Sequence, residues 1–418
     1  MPKAKRFRPR AAFSIHSAFG VRHWHSAFGI QHFSIRHSPF AIQHSIWPHL
    51  RPTYNGAVSL LRQLRRELTS SWLNVLLVAA PVSWVLDRGG PSFSVFVTSA
   101  IALIPAAGLI GAGTEALARR SGPTLGGFLN ATFGNAAELI IAIVALQGHH
   151  LEVVKASITG SIIGNLLLVF GLSCLAGGLK HGTQRFNRTS AGTATVMLAL
   201  AVVALVVPAV VDLVAFGSLK AHPPVIDRLS FWTSLILLAV YAAGLVFTFR
   251  THHDPLRMTE GSAPHMGNGA AMALLTIGTV LTTIQAEILV SALEPALQSL
   301  GMTELFAGVI VIAIVGNAAE HYSAISAATD NQMTLAVEIS VGSSAQIALM
   351  VAPLLVIISP LFGPPMSIVF NAFEIVAIGL SVSTVALVAF DGESNWLEGL
   401  QLLGVYLIFA AAFYLIPG

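Results

Sequence analysis

The sequence predicts an all-α polytopic membrane protein of about 11 transmembrane helices, built as one extra helix plus two five-helix inverted repeats. Three observations carry this expectation. The chain is 55% hydrophobic and only 10% charged, with a mean hydropathy of +0.76, where a soluble domain carries roughly 25% charged residues. Apolar stretches of about 20 residues, the length a bilayer requires, recur along it. A five-residue phrase also occurs twice, as Gly134-Asn135-Ala136-Ala137-Glu138 and Gly316-Asn317-Ala318-Ala319-Glu320. Extended to twelve residues, GNAAELIIAIVA and GNAAEHYSAISA share eight identities at an offset of 182. The same offset maps Gly126 onto Gly308, Gly160 onto Gly342 and Ser161 onto Ser343, which points to an internal duplication.

The chain begins with a stretch unlike the rest. Half of the 22 Lys and Arg lie in the first 66 residues, with no acid before Glu67. Residues 1–55 hold seven of the fifteen histidines and a crude repeat, HSAFGIQH and HSPFAIQH. A metal-binding tail, a transit peptide and a segment translated from upstream of the true start all fit this composition. The preferred expectation is a disordered, low-complexity His/Arg-rich extension over 1–65. The net positive charge is confined to it, which argues against nucleic acid as the partner. The single cysteine, Cys174, excludes a disulfide within the chain.

The expected spans are 71–87, 92–117, 124–147, 156–178, 190–214, 230–249, 270–292, 303–328, 335–359, 366–389 and 396–416. Turn residues punctuate the short connections, as in Asp87-Arg88-Gly89-Gly90-Pro91 and Asp391-Gly392-Glu393-Ser394-Asn395. The span 71–87 is the extra helix, 92–249 the first repeat, 250–269 a polar connecting loop and 270–416 the second repeat. The two repeated phrases fall on spans five apart, so those spans run in opposite directions. Seven basic loop residues of the first half (Arg119, Arg120, Lys180, Arg185, Arg188, Arg250 and Arg257) fall on one side. Four (Arg88, Lys155, Lys220 and Arg228) fall on the other. This bias places the N-terminus in the cytoplasm, and the expected location is a prokaryotic inner membrane.

A carboxylate in mid-span is expensive and by default marks an ion or proton path. Glu138 and Glu320 occupy equivalent points of two repeats, where transporters of this build hold their ion site. Gly134-Asn135 and Gly316-Asn317 are candidate helix breaks that free carbonyls. Asn and Glu three residues apart share a helix face, so Asn135 with Glu138, and Asn317 with Glu320, can offer oxygens to one divalent cation. Ser161 and Asn165 in one span, and Ser343, Ser344 and Gln346 in its mate, add polar groups at mirrored places. Gly160 and Gly164 read equally well as a small-residue packing surface. Glu287 and Glu374 are candidates for a gate or proton relay. Glu115 reads as an interfacial charge beside Arg119, and His321 as turned to another helix face than Glu320.

These residues lie in stretches that resemble a known family. TLGGFLNATFGNAAELIIAI, GNAAEHYSAI, GSSAQIAL and SNWLEGLQLL look like the Ca²⁺/H⁺ antiporters of the cation/calcium exchanger superfamily, from about residue 70 to the end. The resemblance implies exchange of calcium, or a related divalent cation, for protons by alternating access, with no cofactor. It implies that Glu138 and Glu320 bind the cation, and that Asn135, Asn317, Ser161, Ser343 and Gln346 are the family's flanking polar positions. The family's acidic mid-chain run is absent, since 250–269 holds only Asp254 and Glu260. The expected partners are the two ions and the bilayer, with a homo-oligomer also open. Competing readings are a cation channel and a sodium-coupled exchanger; an intramembrane enzyme has no HExxH or GxSxG motif to rest on.

Overall fold

Helix ends follow local chemistry. Ser92 caps Phe93–Arg120 (α3) from its hydroxyl, and Asn187 caps Arg188–Phe216 (α8) through Oδ1. Asn371 with Glu374, and Asn395 with Glu398, form reciprocal capping boxes at the starts of Ala372–Val388 and Trp396–Leu415. The computed structural model describes residues 51–69, 71–217, 224–251 and 266–416. The described residues from 54 onward belong to one compact unit.

In chain order the elements are α1 (Arg51–Leu68), a 3₁₀ segment (Trp72–Val78) leading into α2 (Ala79–Asp87), and α3. Next come α4 (Gly122–Phe133), α5 (Ala136–Gln147), α6 (Leu151–Ile163), a π-helical turn (Gly164–Val169) and α7 (Phe170–His181). After α8 follow α9 (Pro224–Thr251), α10 (Asn268–Ser291) and α11 (Leu293–Leu300). The chain then continues as α12 (Glu304–Gly316), α13 (Ala318–Thr329), α14 (Met333–Leu361), α15 (Ala372–Val388) and α16 (Trp396–Leu415). Two residues each of β1 (Gln184–Arg185) and β2 (Glu393–Ser394) pair antiparallel. Seven helices among the described residues are long and apolar enough to cross a membrane, or nine if each of two bent pairs is one span. Every one of the 11 expected stretches carries helix.

Three boundaries differ from expectation, each for a physical reason. Helix begins at Arg51, inside the stretch expected to be disordered, because Leu60 and Leu64 find an apolar surface around Leu109 and Leu274; residues 1–50 lie outside the described ones. The fourth span starts at Leu151 rather than 156, so Lys155 is a buried residue of α6 and not a loop charge. The tenth starts at Ala372 rather than 366, because the Asn371 capping box fixes its first turn. The connecting loop was expected over 250–269; of it, 252–265 lie outside the described residues.

The core fixes directions. Gly308 lies against Ala156 and Ser157, Gly160 against Val309, and Asn317 against Ser161, so α6 and α12 run side by side the same way. The three-residue turn at 148–150 sets α5 against α6. The chain through Glu138 therefore runs opposite to the chain through Glu320, the sense of an inverted repeat. Arg120–Met266, His181–Thr329 and Gln184–Asn331 contacts join the ends on the basic face. His150–Glu304 and Lys155–Val369 contacts join those on the opposite face.

Candidate functional site

Both repeated phrases break their helices at the same step. Asn135 (φ −101°, ψ 24°) separates α4 from α5, and Asn317 (φ −98°, ψ 6°) separates α12 from α13. The break sets each Asn side chain sideways into the core, where both are 1% exposed. Each is then held by the serine of the other repeat: Asn317 Nδ2 donates to Ser161 Oγ at 2.9 Å, and Ser343 Oγ donates to Asn135 Oδ1 at 3.2 Å. These two bonds are mates under the 182 offset, with the repeats exchanged. Asn165 Nδ2 bridges them, reaching Ser343 Oγ at 3.3 Å and Asn317 Oδ1 at 3.4 Å, and Asn135 Nδ2 donates to Gln346 Oε1 at 2.6 Å.

The carboxylates lie one turn beyond the breaks. Glu138 is 9% exposed. Glu320 Oε2 accepts from Ser343 Oγ at 2.9 Å. Ser343 has one hydroxyl hydrogen for Glu320 and Asn135, so one of those oxygens remains open to another partner. Glu138 Oε2 and Asn165 Oδ1 are buried with no hydrogen-bond partner. Buried acceptors left unmatched are costly. Two carboxylates, three amide oxygens and two hydroxyls approach the six to eight oxygens that calcium takes. Among the described residues no group of three or more His, Cys, Asp or Glu is placed to hold a metal ion.

The remaining candidates divide. Gly134 and Gly316 sit at the helix breaks. Ser344 Oγ bonds the backbone oxygens of Ser340 and Ile162, tying α14 to α6 rather than facing a ligand. An added Cβ at Gly160 would meet Val309 O at 2.0 Å, so this glycine is a packing contact, while Gly164 has open space. Glu287 is exposed and lines a cavity of about 590 Å³ on the opposite face with His150 and Glu294, away from the centre. Glu374 is 1% exposed, and it accepts from Thr159 Oγ1 at 2.9 Å and from the Asn371 backbone at 3.0 Å. Lys155 Nζ donates to Val369 O at 2.9 Å beside it. Glu115 pairs with Arg119 at the basic face. Asp212, fully buried, and Glu338, bonded by Ser190 Oγ at 3.3 Å, are not singled out by the repeat offset. Their signal in the sequence is an acidic residue inside an apolar span.

The two repeats are not packed alike. Gly308 in α12 lies against Ala156 of α6, whereas its mate Gly126 in α4 lies against Ala118 of α3. Ala307 is fully buried and its mate Leu125 is 53% exposed. On the opposite face, α12 therefore seals against α6. On the basic face, a Cβ at Gly342 of α14 would meet nothing within 4 Å, unlike one at its mate Gly160 of α6.

The sodium/calcium exchanger protein family model matches this chain twice, over residues 91–250 and 270–415. A Ca(2+)/H(+) antiporter of Aphanothece halophytica is 41% identical over 341 residues, covering 78% of this chain and 91% of that protein. A vacuolar calcium ion transporter of Schizosaccharomyces pombe is 36% identical over 388 residues, covering 91% and 94%. The structure of native YfkE shares 39% identity and superposes with a TM-score of 0.72, covering 82% of this chain and all of that one. With both repeats matched and the membrane helices in place, the chain belongs to the sodium/calcium exchanger protein family.

Proposed function

We propose that this chain is a secondary active transporter that exchanges calcium, or a related divalent cation, for protons by alternating access at a site built on Glu138 and Glu320. The observation that carries the reading is the exchanged pair of Asn–Ser bonds, Asn317 to Ser161 and Asn135 to Ser343. Ser343 of this pair also donates to Glu320, and Glu138 Oε2, one turn beyond Asn135, is a buried acceptor left unspent. The relatives named Ca(2+)/H(+) antiporter and vacuolar calcium ion transporter support calcium as the cargo.

Two neighbouring carboxylates in a low-dielectric core cannot both stay charged without compensation. A divalent cation neutralises both, and so do protons, so either occupant lowers the cost of carrying the site between faces. The empty, doubly charged site is hindered, and that competition couples the two flows. The unequal packing of α4 and α12 supports the alternation: α12 is closed on α6 at the opposite face, while Leu125 of α4 is exposed at the basic face. Exchanging those contacts between repeats would reverse the access.

Sodium as counter-ion is the second reading, since the matching family model is that of sodium/calcium exchangers. The neutral neighbours Asn135, Asn317, Ser161 and Ser343 favour protons, because a site for several sodium ions needs more charge. Flux into proteoliposomes with an imposed pH gradient, using calcium, manganese, magnesium and sodium in turn, tests both. Calcium movement driven by the pH gradient without sodium supports the proposal; movement that requires a sodium gradient replaces it with the second reading.

A further inference from the structure

We propose that the amphipathic end of α1 is an interfacial helix that docks on the anionic lipid headgroups of the leaflet at the basic face. Ser59–Leu68 meets Trp72–Asp87 at 98°. The second segment, seven residues of 3₁₀ and nine of α-helix, reaches about 27 Å at roughly 2.0 and 1.5 Å per residue. That is close to the hydrocarbon thickness. With this segment crossing the bilayer, the right-angle bend lays α1 along the membrane surface.

The helix has a docked side and a free side. Leu60 and Leu64 pack on the cluster around Leu109 and Leu274, and Gln63 Oε1 accepts from the Gly267 backbone at 2.7 Å. Facing away, Arg62, Arg65 and Arg66 are exposed, and none pairs with a carboxylate among the described residues. Flanking them in the chain stand the exposed apolar side chains Leu61 (63%) and Leu68 (39%), with Trp72 (65%) at the bend. Basic and apolar side chains exposed together on a surface-parallel helix suit a headgroup boundary, where the aliphatic stems lie over acyl chains and the guanidinium groups reach phosphate. Juxtamembrane arginines each strengthen binding to an anionic surface about fivefold. Three acting together set a ceiling of about a hundredfold.

The inference is independent of the transport reading, and its test does not use activity. The full chain is reconstituted in vesicles of phosphatidylcholine alone, or with about one third phosphatidylglycerol, and amide hydrogen exchange is followed over residues 59–68. Exchange is expected to be at least about tenfold slower in the anionic vesicles, with the difference lost near 0.5 M salt as screening shortens to a few ångströms. The variant Arg62→Gln/Arg65→Gln/Arg66→Gln, which keeps Leu60 and Leu64, should exchange equally in both vesicles. Equal rates for the unmodified chain in both vesicles overturn the proposal, as does a variant that keeps the slowing. Slowing by inorganic phosphate in neutral vesicles would assign a soluble-anion site instead and also overturns it.

Discussion

Gly160 and Gly342 are mates in the two repeats, and one added methyl group should tell them apart. A Cβ at Gly160 would lie 2.0 Å from Val309 O and 2.6 Å from its Cα, whereas nothing lies within 4 Å of a Cβ at Gly342. Ordinary contact needs over about 3 Å, so Gly160→Ala forces α6 and α12 apart by about 1 Å or more, at an overpacking cost of about 1–3 kcal/mol. That cost falls on the conformation sealed at the opposite face and moves the ratio of the two access states by about 5–150-fold. Gly342→Ala carries no such cost in this conformation, and within a helix Ala is favoured over Gly by about 1 kcal/mol. It should instead penalise the state in which α4 closes on α14. Leu125→Cys, at a side chain 53% exposed on the basic face, serves as reporter, with Cys174 fully buried and silent. Labelling of Leu125→Cys by an impermeant maleimide should fall at least about fivefold with Gly160→Ala and stay level or rise with Gly342→Ala. If both substitutions lower labelling equally, or Gly160→Ala changes neither labelling nor melting temperature, the paired-seal account is wrong.

Other consequences follow from particular contacts. Lys155→Met leaves the buried Val369 carbonyl without its donor, which should destabilise the protein by about 1–3 kcal/mol in thermal melts. Removing residues 1–50 should leave transport intact, but a chain starting at Thr69 loses the Leu60 and Leu64 packing and the Gln63–Gly267 bond, about 2–4 kcal/mol in all. Ser343→Ala removes the bridge between Asn135 and Glu320, and should weaken calcium uptake about tenfold while costing about 1–3 kcal/mol of stability. Radiocalcium uptake should also decline as pH falls on the binding side, because a proton on either glutamate removes ligand charge that the cation needs.

The centre of the molecule is readable in the sequence because duplication writes it twice. The 182 offset alone pairs Asn135 with Asn317 and Ser161 with Ser343, and the structure joins those residues crosswise. Span positions are legible for the same reason that membrane helices are: apolar length is a requirement of the bilayer. Boundaries set by one side chain are less so. Lys155 looks like a loop charge until Val369 O is found to receive it, and 366–371 looks like helix until Asn371 caps the chain later. The first turns of α1 are masked by the basic, His-rich composition before them. The unequal packing of Gly126 and Gly308 could not be read at all, since matched residues carry no record of which repeat is closed. That difference belongs to the conformation rather than to the sequence.

The most direct measurement follows calcium and proton movement together in proteoliposomes holding the unmodified chain, Glu138→Gln or Glu320→Gln. Gln keeps the shape of a protonated acid, so both variants should fold and bind the membrane as before. The account predicts that calcium influx in the unmodified chain is matched by proton efflux, is driven by the pH gradient without sodium, and is abolished in each variant. Near-normal proton-coupled calcium flux in either variant, or calcium flux indifferent to the pH gradient in the unmodified chain, would contradict it.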